Sequence, residues 1–104
     1  MDVEKFSREV IDTYQDKARS MNRESAKVGT MAQHATAAGD SVQMNSGNAA
    51  RIARISIETF REKLADGMDR SEAAKATVRE MSERFDSRGR DIQQRERQRE
   101  RISL

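Results

Sequence analysis

The chain has 104 residues, 37% of them charged, with a formal net charge of +2 and a mean hydropathy of −0.97. That length suits one domain, and nearly cancelling charges exclude a single strong field of either sign. The absence of cysteine excludes disulfides and thiolate metal sites, and no apolar run approaches the roughly 20 residues of a membrane span.

From the amino end, Asp2 is placed to cap a first helix, with Glu4 favourable in its first turn and Glu4 to Arg8 a well-oriented i,i+4 pair. Val3, Phe6, Val10, Tyr14, Ala18, Met21 and Ser25 recur at steps of three and four. The same seam continues through Val28, Met31, Ala35, Ala38 and Val42, a heptad rich in small residues. The spacing predicts one long helix over about 2–38, with Gly29 as a weak point. Gly39-Asp40 and Asn45-Ser46-Gly47-Asn48 are turn-forming clusters, which puts the chain reversal within 39–48.

A second helix is expected over about 48–66, capped by Asn48, with Ala49, Ile52, Ala53, Ile57, Phe60 and Leu64 on one stripe and Ile55 and Ser56 widening it. Gly67 interrupts. Asp69, three residues before Glu72, has capping-box spacing for a third helix over about 70–87, with Ala74, Val78, Met81 and Phe85 facing inward. Residues 1–87 thus read as a helical domain and 88–104 as an Arg-rich, partly frayed helical tail. Asp86–Arg90 and Asp91–Arg95 lend that tail modest i,i+4 support. The basic excess lies on this side: residues 1–40 carry six Lys/Arg against seven Asp/Glu, residues 41–104 fourteen against eleven.

Catalytic chemistry has little to stand on. His34 is the one histidine and has no acidic neighbour in sequence; no metal-ligand spacing, phosphate-cradling glycine loop or G-x-S-x-G elbow is present. The expectation is a non-enzymatic chain with no catalytic, cofactor or metal residues, no cofactor and no small-molecule substrate. The amino end, M-D-V-E-K-F-S-R, lacks the charged-then-apolar pattern of a cleaved signal peptide. A cytoplasmic location is therefore expected, with secretion independent of such a signal left open.

Two resemblances bear on function. Arg54-Ile55-Ser56-Ile57, followed by Gly67-Met68-Asp69-Arg70-Ser71-Glu72-Ala73-Ala74, resembles the ribbon-helix-helix family over residues 54 to about 85. The resemblance implies a DNA-binding regulator with a short strand at 54–57 that presents Arg54 and Ser56 to bases. The spacing from strand to turn is about one helical turn shorter than in that family, and a forty-residue helical segment precedes it. In size and layout the chain also resembles the helical-hairpin proteins of bacterial specialised secretion, although Met44-Asn45-Ser46-Gly47 stands where one such family has Trp-x-Gly.

Leu, Ile, Val and Phe number only sixteen, so a lone domain of this size is marginally stable and part of its buried area should come from association. The reading favoured by the residues is an all-α fold, an antiparallel helical hairpin or three-helix bundle with a basic tail. It acts by helix-mediated protein–protein association, as a homo-oligomer or as a subunit of a larger complex. Its expected packing face is Phe6, Val10, Tyr14, Ile52, Ile55, Phe60, Leu64, Val78, Met81 and Phe85. The nucleic-acid alternative uses Arg54 and Ser56, or phosphate contacts from Arg95, Arg97, Arg99 and Arg101 in the tail.

Overall fold

The computed structural model describes residues 2–40 and 46–92. It is all-α, with four helices among the described residues: α1 (Val3–Lys17), α2 (Arg23–Asp40), α3 (Ser46–Ala65) and α4 (Arg70–Arg84). α1 and α3 each pack against the other three helices. α2 lies chiefly along α3, and α4 along α1 and α3.

The single helix expected over 2–38 is two helices. Asp2 caps α1, its carboxylate accepting the Lys5 N–H at 3.2 Å, and Val3, Phe6, Ser7, Val10, Ile11 and Tyr14 form the buried stripe. The helix ends at Ala18, and the chain turns through 18–20. Asn22 then restarts it: its side chain accepts the Ser25 N–H at 2.9 Å and its carbonyl the Ala26 N–H at 2.9 Å. A side chain that satisfies the free N–H groups of a new helix makes the break stable here, and not at Gly29, which stays inside α2 against Lys17. The consequence is direct. In a straight helix Thr13 and His34 would stand about 30 Å apart; folding back brings Thr13 Oγ1 to 2.9 Å from His34 Nε2. Phe6 meets the same imidazole edge to face, with ring centroids 5.8 Å apart.

α2 runs through Gly39 and Asp40, so the turn expected at that pair is absent, and the rest of the expected reversal falls on 41–45, outside the described residues. Two ion pairs tie α2 to α3: Lys27 with Glu58 and Glu24 with Arg61, each at 3.0 Å. Stepping forward by three on one helix and back by three on the other is the pattern of antiparallel neighbours. α3 starts at Ser46, so Asn48 is not its cap but an interior residue that donates its side-chain amide to the Arg88 carbonyl at 3.2 Å.

α3 ends at a glycine that needs its own conformational freedom. Gly67 has φ +94°, its N–H donates to the Leu64 carbonyl, and the Met68 N–H donates to that of Lys63, a Schellman closure. Asp69 caps α4 through the Glu72 N–H at 2.9 Å. α4 stops at Arg84, short of the expected 87, because Phe85 is extended and pairs with Asp91 in an antiparallel bridge.

Of the Arg-rich tail expected over 88–104, residues 88–92 are described, and 88–91 are not helical. Gly89 and Asp91 are buried, and residues 93–104 lie outside the described residues. Asp86 and Arg90 do pair, at 2.7 Å, but across a tight turn and not along a helix. Asp86 also accepts the backbone N–H groups of Arg88 and Arg90.

The core is continuous from Val3 to Phe85 and centres on Val10, Ile11, Ile52, Ile57, Phe60 and Met81, each fully buried. Tyr14 and Phe60 meet edge to face at 6.4 Å, joining α1 to α3.

Candidate functional site

Of the residues expected to form a packing face, Phe6, Val10, Tyr14, Ile52, Ile55, Phe60, Val78, Met81 and Phe85 are buried within the one chain, and Leu64 is packed against them half-buried. They meet one another across helices, so most of this face is taken up within the chain.

Residues 54–57 lie in the middle of α3, so the strand implied by the ribbon-helix-helix resemblance is not there. The isoleucines explain why. Ile52, Ile55 and Ile57 all reach the interior from a helix with Ala49, Ala53 and Phe60, whereas a strand would carry Ile52 to the face opposite Ile55 and Ile57. Arg54 is exposed and lies 3.4 Å from Glu58 on the next turn. Ser56 is fully buried, and its hydroxyl has no hydrogen-bond partner, so it does not present to solvent. Arg95, Arg97, Arg99 and Arg101 lie outside the described residues.

Three features of the surface are available for chemistry. The first is the outer side of α2. Ser25, Val28 and Ala32 follow steps of three and four along it, Met21 stands in the turn just before the helix, and every one is exposed. Val28 is 63% and Met21 42% exposed, the two large hydrophobics of the described residues left in solvent. The sequence places them on the same seam as Val3, Phe6 and Tyr14. The break at 18–22 lets α1 turn its part of that seam inward while α2 turns this part outward. The inward side of α2 is held by Ala26, Thr30 and the Lys27–Glu58 pair, with the Thr30 hydroxyl donating to the Ala26 carbonyl at 2.7 Å. The hydrogen bond from Lys27 holds the Glu58 carboxyl below its ordinary value against the penalty of burial, with the charges of Lys27 and Arg54 adding to the shift.

The second is a hollow of about 450 Å³ where the end of α1, the following turn, α3 and the start of α4 meet. Tyr14, Phe60 and Leu64 form its apolar floor, and Arg19, Arg23, Arg61 and Arg70 stand around it. No carboxylate lines it. The Arg61 guanidinium is held charged more firmly than usual by its hydrogen bond to Glu24. Arg19 and Arg23, one helical turn apart in number, hint at such a patch in the sequence. The approach of Arg61 and Arg70 depends on the turn at Gly67.

The third is the closed turn after α4. The Asp91 carboxylate, 5% exposed, accepts from Arg84 Nε and Nη2 at 3.2 and 3.1 Å and from Arg51 Nη2 at 3.2 Å. Arg84 also lies over the Phe85 ring at 5.3 Å. Burial alone would raise the Asp86 carboxyl, but N–H bonds from Arg90 and Arg88 and the Arg90 guanidinium hold it below its ordinary value. These contacts join α3, α4 and the turn, which is structural work.

Among the described residues no group of three or more His, Cys, Asp or Glu is gathered as a metal site requires, and no helix is long and apolar enough to cross a membrane. His34 is half-buried, with Thr13 and Phe6 as its neighbours; burial lowers its pKa, with Glu9 opposing and Lys17 adding to the shift. Compared with protein-family models, curated proteins and solved structures, the chain matches none.

Proposed function

We propose that this chain is a non-enzymatic protein that acts by helix-mediated protein–protein association, as a homo-oligomer or as a subunit of a larger complex. In this reading the four helices work as one bundle, and α2 carries the contact. The observation that supports it most is the exposure of Val28 on the outer side of α2, with Met21 exposed in the turn before that helix, in a chain with few large apolar side chains to spare. Isolated exposed apolar residues are ordinary on any surface. On α2 itself Ser25 and Ala32 flank Val28 one turn to either side, small residues whose spacing suits a second helix laid close alongside. The inner side of α2 is already engaged by α3, so the outer side can be covered without unfolding the chain.

Native mass tests the reading. Association predicts a mass above the 11.8 kDa of the single chain, for the purified protein or for the protein in extract of its own cells, and a return to that mass for Val28→Lys with helicity unchanged. A chain that runs at the monomer mass in both settings contradicts it.

A further inference from the structure

The arginine-rimmed hollow is distinct from the outer side of α2 and has a chemistry of its own. Elsewhere in the described residues most arginines hold a carboxylate: Arg51 and Arg84 share Asp91, Arg54 has Glu58, Arg79 has Glu83 and Arg90 has Asp86. Arg19, Arg23 and Arg70 hold none among the described residues, and with Arg61 they surround one apolar floor. Like charges brought together in one hollow repel each other, and an incoming anion relieves that repulsion while gaining from all of them. In a chain whose net charge is only +2, this local excess arises from how the fold gathers the residues.

The shape narrows the ligand. A second hollow, between α1 and α4, shares Gln15 and Arg70 with the first and adds Arg8, Lys75 and Arg79 against Glu4 and Asp12. The two abut along α1, which gives an elongated track suited to a chain more than to a compact molecule. We propose that this track binds an acidic segment of a partner protein, with an apolar side chain on the floor of Tyr14 and Leu64 and carboxylates on Arg19, Arg23 and Arg70. The proposal deepens the association reading and rests on it, because it names the chemistry of one partner. A second copy of this chain does not supply such a segment, since no two acidic residues are adjacent anywhere in its sequence. Glu4 and Asp12 in the adjoining hollow and Glu24 on Arg61 oppose any anion, so the carboxylates of the segment are placed on Arg19, Arg23 and Arg70, and a nucleic-acid backbone is tested as the rival occupant.

The test is fluorescence anisotropy with the full chain and three labelled probes: a short peptide of glutamates around a central Leu and Phe, the same peptide with Ser at those two positions, and a single-stranded oligonucleotide of equal charge. The proposal expects saturable binding of the first peptide. That binding should weaken with added salt, and weaken about tenfold or more on Arg19→Glu or Arg70→Glu and on the change to Ser. Both arginines are exposed, and circular dichroism confirms that the variants remain helical; Arg19→Gln and Arg70→Gln repeat the test without a reversed charge. The proposal is overturned by absent or non-saturable peptide binding, by unchanged binding in these variants, or by tighter binding of the oligonucleotide. Val28→Lys, which removes the α2 contact, should bind the peptide normally. Peptide binding that fails while the wild-type chain still associates through Val28 discards the groove alone; loss of both discards the association reading too.

Discussion

Lys27 Nζ lies 3.0 Å from Glu58 Oε1 and fixes the rotation of α2 on α3, so that the next residue, Val28, stands in solvent. Adjacent residues on a helix point about 100° apart, so a side that is anchored leaves its neighbour free. The same pair makes a pH prediction. Glu58 has a folded pKa below its unfolded value of 4.5, chiefly through the Lys27 hydrogen bond. The pair's contribution is therefore complete above that value and is lost as pH falls through the lower, folded one. Glu58→Gln should lower stability at pH 7 by about 0.5 kcal/mol, in keeping with partly exposed pairs, and by nothing measurable in acid. Thermal melts of both proteins from pH 7 to pH 3 read this out.

His34 acts in a neighbouring window. Its folded pKa lies below the unfolded 6.5, so the unfolded chain takes up a proton before the folded one does. Stability is complete above the unfolded value and declines as pH falls from there through the folded value. Protonation would place a cation beside the Phe6 ring and near Lys17, with Glu9 as the nearby acid. In His34→Gln the decline between neutral pH and the onset of carboxyl titration should disappear. An NMR titration of the imidazole gives the folded pKa directly, and a value at or above 6.5 contradicts this account.

Ser56 offers a test by gain. Its hydroxyl is fully buried with no hydrogen-bond partner, and an unsatisfied buried polar group costs about 1–3 kcal/mol. Ser56→Ala should leave stability unchanged or raise it by about 1 kcal/mol, whereas Ser56→Val, which adds volume to a closed core, should lower it. Chemical denaturation of the two variants decides, and a clear loss for alanine shows that the hydroxyl has a partner in solution.

Asp91 holds two arginines from two helices, so its loss should be felt beyond its own turn. Asp91→Asn keeps the volume and removes the charge that Arg84 and Arg51 approach. Full burial of such a pair would make the loss larger; with both arginines more than a third exposed, about 1–2 kcal/mol is expected. Hydrogen exchange should show residues 85–92 losing protection first. Protection unchanged there, with stability unchanged, means that the closed turn does not depend on this carboxylate.

How much of this was legible depended on how local the cause was. The buried stripe of α1, the Asp69 cap and the end of the helix at Gly67 each rest on residues within one turn of one another, and periodicity or capping rules find them. Asn22 is equally local, but the apolar spacing runs through Met21, Ser25 and Val28 without a gap, and the pattern hid the cap. That one break reverses the meaning of the seam, from a buried face to an exposed one. Asp91 reads as a charge in a solvated tail because its partners, Arg51 and Arg84, lie 40 and 7 residues away. Of the arginine hollow only the Arg19–Arg23 spacing shows in the sequence; Arg61 and Arg70 are brought to it by the fold.

The most direct measurement is site-specific photo-crosslinking in living cells, with the reactive group at Val28 and, as control, at Glu83 on the exposed side of α4. The account predicts a protein adduct from Val28, either to a second copy or to one defined partner, and none from Glu83. No adduct from Val28, or equal adducts from both positions, contradicts it.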